Sequence, residues 1–332
     1  MILQQPFLTP AHVIKVLGSL AVLLMVASIS SLSLGPSGIG LADLGALFGE
    51  NPDPATALII WELRLPRLIL AIVVGAGLSV AGAVLQSLLR NPLAEPYILG
   101  ISSGGTVGAF VAITLGIAFA ALSVPLLSFV GSGLVMLLVY SLGHRRGVLD
   151  PHALLLSGIM VGAFFNAIIL VMVSVFNQEM RSAYLWLLGN LSGAEFSSIG
   201  VAGPVIILAS LVLVGLSRSL NLIATGDESA LQAGVDVVRV RKVGYVMASL
   251  ITGLAVSVSG VIGFVGLLVP HACRLLFGTD NRIVMPASML VGAMFLVLCD
   301  ILSRTVLAPS EIPVGVITAA VGAPLFIYLL KR

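Results

Sequence analysis

RSLNLIATGDESALQAGVDVVRVRK, residues 218–242, is the longest polar interruption in an otherwise apolar chain of 332 residues. Arg218 at one end and Arg239, Arg241 and Lys242 at the other carry the charge type that membrane insertion keeps in the cytosol. Between them lies a helix signature. Thr225 is placed to cap a helix whose first turn holds Asp227 and Glu228, where the helix dipole favours acids. Ser229 to Ala233 continue it, and Gly234 suits a stop before Val235, Asp236 and Val237. The same residues also fit an ordinary solvated loop between two membrane spans.

What flanks this stretch settles the class. The chain is 59% hydrophobic and 9% charged, against roughly 25% charged in soluble domains, and its mean hydropathy is +1.17. The apolar runs are long and unbroken, which excludes the short alternating strands of a β-barrel. The expectation is an all-α polytopic membrane protein of about ten transmembrane helices, residues 1–332 forming one domain with the loop 218–242 inside it. The 36 glycines suit helices that approach closely in lipid. Cys273 and Cys299 show neither CxxC nor metal-ligand spacing, so no disulfide or metal site is expected. Net charge is +2, and the basic residues sit at span ends rather than in a patch, so no nucleic-acid partner is expected.

The runs fall at residues 13–34, 65–89, 98–119, 122–142, 153–176, 199–216, 243–259, 261–276, 283–303 and 312–330. The first is too long, and lacks the AxA site, for a cleaved signal peptide, and reads as a retained span. No charge separates the seventh from the eighth, and a single span there would move the C-terminus to the other side. With ten spans, twelve of the 16 Lys and Arg residues lie on the cytoplasmic side, which places both termini inside. Arg64, Arg67, Arg181 and Arg304 are left outside.

The motifs exclude self-powered transport by nucleotide hydrolysis. A P-loop needs GxxxxGK[ST], and Lys15, Lys242 and Lys331 all lie in other settings. No catalytic residue is therefore expected, and the chain is not itself an enzyme. A secondary carrier or channel working without ATP is the alternative, with a membrane scaffold as a third reading. A carrier usually shows ionisable groups within its spans. Only Asp300 lies clearly inside one, and its spacing from Arg304 suits a helix pair better than a proton relay.

Four segments resemble, in order, the permease subunits of type II ABC importers for iron-siderophores, haem and cobalamin. They are Arg64-Leu65-Pro66-Arg67, Arg90-Asn91-Pro92-Leu93-Ala94-Glu95-Pro96, Gly263-Phe264-Val265-Gly266-Leu267-Leu268-Val269-Pro270-His271, and Glu311-Ile312-Pro313-Val314-Gly315 through Gly322-Ala323-Pro324. The resemblance implies a homodimer in the bacterial or archaeal inner membrane, with the path between the two copies. It also implies two separate ATPase subunits that hold the ATP and Mg2+, no cofactor in this chain, and a periplasmic or lipid-anchored binding protein that delivers a metal chelate. Among chelates, ferric siderophore ranks first, haem second and cobalamin third.

The resemblance assigns roles to residues as well. Residues 225–237 become a pair of short coupling helices with Gly234 at the break, so Thr225, Asp227, Glu228, Leu231, Gly234 and Val235 meet the ATPase. Asn91 and Leu93 belong to a cytoplasmic gate, and Pro151 and His152 to a second gate segment. By residue type alone, the first of these is equally a rigid proline-bounded turn. Gly158, Gly162 and Asn166 share one face of the fifth span and line the pathway, the other reading being helix packing plus one satisfied amide. Arg64, Arg67 and Arg304 form a positive outer surface that receives acidic residues of the binding protein, unless they merely snorkel at the interface.

Overall fold

The computed structural model describes residues 9–46, 53–115, 123–145, 148–175 and 187–330; Arg181 lies outside them. Helix α1 (Pro10–Ser33) opens where the Thr9 hydroxyl accepts the His12 N–H at 3.3 Å and Pro10 takes the first helical position. It stops at Leu34, just before Gly35-Pro36. A short α2 (Leu41–Ala46) follows. Helix α3 (Pro54–Leu58), capped by Asp53, runs through a π-helical turn, Ile59–Arg64, straight into α4 (Leu65–Leu88). The second span therefore begins at Pro54 rather than at residue 65. Pro66, which lacks an N–H, falls in the first turn of α4, where the π-helical turn gives way to the α-helix.

After α4 come a 3-10 turn (Pro96–Leu99), α5 (Ile101–Thr114) and α6 (Ser123–Gly143). Strands β1 (His144–Arg145) and β2 (Val148–Leu149) pair antiparallel with His144 opposite Leu149, and α7 (Pro151–Val175) follows. Then come α8 (Phe196–Gly215), α9 (Ser217–Thr225), α10 (Asp227–Gln232), α11 (Val237–Ser259), α12 (Val265–Phe277), α13 (Asn281–Thr305) and α14 (Val314–Leu330). Among the described residues, seven helical stretches are long and apolar enough to cross a membrane, and α5, α12 and α14 are shorter apolar helices. Together they fall one to one on the ten spans expected from the sequence. The chain is a multi-pass membrane protein with an all-α fold.

Helix α4 is the axis. Nearly every side chain from Pro66 to Leu88 is buried, with α8, α11, α12 and α13 packed around it. One of its faces, through Val73, Val80 and Val84, joins a core with α8 and α11. The other, through Leu70, Val74 and Leu78, joins a core with α12 and α13. Small residues make this possible, because helices in lipid associate by close packing rather than by the hydrophobic effect. A Cβ on Gly82 would lie 1.9 Å from the Gly266 carbonyl oxygen, so glycine is required where α4 crosses α12.

The uncertain split between the seventh and eighth spans is a real break. Gly260 ends α11 at φ 68°, and Phe264 precedes α12 at φ 69°. Both conformations are left-handed, which ends a right-handed helix and is costly for a bulky side chain such as Phe264.

Candidate functional site

The polar stretch folds into a platform of two short helices. Helix α9 buries Leu220 and Ile223, and Gly226, at φ 137°, breaks it from α10. Asp227 and Glu228 occupy the first turn of α10, as the dipole argument requires. Two expectations are corrected here. Thr225 is the last residue of α9, with its hydroxyl donated to the Leu222 carbonyl at 2.7 Å, and Gly226 takes the cap position of α10. The break inside the helix pair is Gly226 rather than Gly234, because the backbone there adopts a conformation that favours glycine. Gly234, at φ 80°, instead ends α10. Its N–H meets the Leu231 carbonyl at 2.9 Å and the Val235 N–H meets the Ala230 carbonyl at 2.9 Å, a Schellman pair. Asp236 then caps the long α11 by accepting the Arg239 N–H at 3.0 Å. Leu231 stands 60% exposed on this platform.

Asp227 is more than a dipole residue. Its carboxylate accepts from Arg241 at 2.9 Å and also pairs with Arg90. Arg90 further donates to the Ile223 carbonyl at 2.8 and 3.1 Å. Arg241 is buried, whereas Arg90 is open to solvent. Sequence reasoning missed this junction, since Arg90 stands at φ 47° just past α4, far from Asp227 along the chain. A second tie joins α9 to the start of α13. Asn221 donates to Asp280 at 2.7 Å and accepts the Asn281 N–H at 2.9 Å, while Ser87 of α4 donates to Asn281 at 3.2 Å. Burial pushes the Asp280 carboxyl up, but hydrogen bonds from Arg282 and Asn221 outweigh it and hold the group below its ordinary range.

The segment after Arg90 begins as a turn. The Asn91 side-chain oxygen accepts the Leu93 N–H at 2.9 Å, which occupies Asn91 locally and leaves Leu93 exposed. The chain then turns back toward the middle of the bundle. A Cβ on Gly266 would meet Pro96 Cδ at 2.8 Å and the Leu78 oxygen at 2.9 Å. Pro96 is thus level with Leu78, about 15 Å back from the end of α4. Pro151, at the start of α7, shares a small apolar cavity with Leu85, Leu88, Leu89 and Arg241. The turn at Asn91 and the start of α7 thus lie beside the same end of α4. His152 is exposed, and Asp150 caps α7 by accepting the Ala153 N–H at 2.8 Å.

Two of the three lining residues expected on the fifth span, Gly158 and Gly162, are corrected. Gly158 and Gly162 are buried against the re-entrant segment, where added Cβ atoms would lie 2.8 Å from Leu99 Cα and 3.2 Å from Gly100 Cα. They are glycine because backbone crosses backbone there. Asn166 is exposed.

The outer arginines are corrected too, for all three are buried. Arg67 donates to Asp300 at 2.7 Å and to Glu311 at 2.8 Å. Arg304 lies 3.1 Å from the other Asp300 oxygen and donates to Ser31 Oγ at 2.8 Å. Arg64 meets Ser37 Oγ at 2.6 Å and the Leu32 carbonyl. The chain supplies its own carboxylates, so no positive outer surface forms. The expected Asp300–Arg304 helix pair is present within this larger cluster. Arg64 alone of the three reaches only neutral acceptors among the described residues.

A bundle of ten apolar helices with a charged two-helix platform at one end and a re-entrant segment at its centre has the build of a membrane transport permease. The chain belongs to the FecCD transport family, which matches residues 23–332. It is 42% identical over 279 residues to the cobalamin import system permease protein BtuC of Halobacterium salinarum, covering 84% of this chain and 75% of that protein. It is 36% identical over 321 residues to the hemin transport system permease protein HmuU of Yersinia pestis, covering 95% of each. Its fold matches a solved metal-chelate type ABC transporter in an inward-facing conformation with a TM-score of 0.85 at 30% identity, covering 96% of this chain and 99% of that one. It is thus a permease of the ABC importers for iron-siderophores, haem or cobalamin.

Proposed function

We propose that this chain moves a metal chelate inward across the cytoplasmic membrane as one of two identical copies, energised by separate ATPase subunits seated on α9 and α10. The observation that carries this reading is the platform itself. It presents exposed Leu231 and Glu228 outward while Asp227 ties it to Arg90, one residue before the gate turn. A push on α10 thereby reaches Asn91 and Leu93 through one ion pair. The P-loop missing from the sequence leaves nucleotide chemistry, with ATP and Mg2+, to the partner. Both termini are then cytoplasmic, and a binding protein delivers the chelate at the opposite end.

The relatives carry different cargoes, cobalamin and hemin by name, so the chelate is settled by uptake rather than by likeness. In proteoliposomes with the ATPase and binding protein, ferric hydroxamate, haem and cobalamin are offered in turn. One should accumulate with ATP and none without it. Leu231→Asp should prevent ATPase assembly while the permease stays folded. Uptake driven by an ion gradient without any ATPase would replace this reading by a secondary carrier.

A further inference from the structure

The re-entrant segment delivers an ionisable side chain to the level of the helix break. Glu95 Oε1 accepts the Phe264 N–H at 2.6 Å, and the Tyr97 hydroxyl accepts the Ile262 N–H at 3.1 Å. Both amides belong to the irregular backbone between α11 and α12, where no helix partner exists for them. No other hydrogen bond or ion pair reaches the Glu95 carboxylate among the described residues. Yet this region is not sealed. Glu95, Tyr97, Val261, Gly263 and Phe264 are all partly exposed.

Hydrocarbon is not an admissible neighbour for that surface. Non-helical backbone at membrane depth occurs only where it is buried in protein or faces water, and a carboxylate there marks a cavity or pathway rather than lipid. Pro96, the next residue, is level with Leu78, well inside the span of α4. With one oxygen occupied by the Phe264 amide, the carboxylate is held in a fixed orientation with acceptor capacity to spare.

We infer that Glu95, braced by the 260–264 break, lines the water-filled translocation path and contacts cationic or hydrogen-bond-donating groups of the cargo. Tyr97 is a positioning residue that holds the same break. The cargo half of this inference rests on the importer reading above; the path-wall half does not.

Two measurements on the assembled transporter separate them. In the first, Glu95→Cys is exposed to a membrane-impermeant cationic thiosulfonate in each nucleotide state, with the wild type, whose Cys273 and Cys299 are buried, as background. Modification is expected in at least one state, and Leu134→Cys on the exposed face of α6 should stay unmodified. Absence of modification in every state would overturn the path wall. In the second, Glu95→Gln is compared with wild type for ATP-driven uptake of a ferric trihydroxamate bearing a free ammonium and of the same chelate with that amine acetylated. The variant should raise KM about tenfold for the ammonium form, the low end for a hydrogen bond to a charged group. KM for the acetylated form and the ATPase rate should hold. An equal loss for both chelates, or a fall in ATPase rate, would make Glu95 a structural brace only. Failure of wild type to take up either chelate would overturn the cargo half for hydroxamates without touching the importer reading, and the labelling would still decide the path wall.

Discussion

At each end of the bundle one aspartate stands between two arginines, with Glu311 as a further partner of Arg67 at the first, and the two aspartates differ sharply in burial. Asp300, between Arg67 and Arg304, is 1% exposed, whereas Asp227, between Arg90 and Arg241, is 40% exposed. The same arginine–aspartate–arginine arrangement therefore serves opposite ends. In the first cluster the ions have lost their water and cannot separate without leaving a bare charge in a low-dielectric interior. In the second, solvent replaces a broken Arg90 pair at little cost, while the Arg241 end stays buried. The buried cluster staples the end of α1, the start of α4 and the end of α13 together through Ser31, Arg67 and Arg304. The exposed one joins the platform to the turn at Asn91 through Arg90, which solvent reaches.

The contrast is broken most directly at Asp300. Asp300→Asn leaves Arg304 buried without a counter-charge and should cost about 3–5 kcal/mol of stability, read as thermal unfolding in detergent. Changing Arg304→Leu as well should recover part of the loss. Unfolding of Asp300→Asn at the wild-type temperature would show that the cluster is not a staple.

Asp227→Asn should act on the other axis. We expect a stability loss of about 1–2 kcal/mol, between the values for exposed and buried pairs because Arg241 is buried and Arg90 is not. The larger effect should be on coupling, with ATP hydrolysed by the complex and little chelate accumulated. If transport per ATP stays at the wild-type ratio, the ion pair does not link platform to gate.

Salt sharpens the comparison further. Raising ionic strength from about 0.05 to 0.5 M shortens the screening length several-fold, which should mimic a mild Arg90→Ala effect, below about 1 kcal/mol. Unfolding of the Asp300 cluster should not respond. Equal salt dependence in Arg90→Ala and wild type would place the sensitivity elsewhere.

The smallest effect is expected at Asp280. Its pKa is depressed in the folded state, so its contribution is present above the ordinary carboxylate range and is lost as pH falls through the lower folded value. The tie from Asn221 to α13 should be unchanged between about pH 7 and 5 and should loosen only below about pH 4. Thiol labelling of Ser219→Cys on α9 against pH follows it. Loosening near neutrality would mean that another group controls the tie.

Much of this molecule was legible in the sequence, because hydropathy and helix punctuation are local. The ten spans could be read from apolar runs and the proline-bounded turn at Asn91 from its own residues, whereas the break after Ser259, which no charge marks, rested on the run lengths alone. The charged sites were legible only as residue types. Arg64, Arg67 and Arg304 stood against the positive-inside tendency under the expected topology, and the structure buries all three. The inference that a partner must supply carboxylates failed for Arg67 and Arg304, because Asp300 and Glu311 already do so, and Arg64 is satisfied by Ser37 and the Leu32 carbonyl. The two path glycines failed for a related reason: a small residue signals close approach without saying what approaches.

The sequence by itself determined that the chain lives in lipid, how many times its apolar segments recur, where its helices stop and that it carries no P-loop. Each of these depends on residues within a few turns of one another. Only the tertiary structure decided that Arg67 meets an aspartate 233 positions away, that Arg90 meets one 137 positions away, and that Glu95 caps a backbone break 169 positions away. An ion pair or a cap is chosen by which helix faces come together. In lipid those faces are selected by the fit of small residues such as Gly82 against Gly266, a fit no single segment contains.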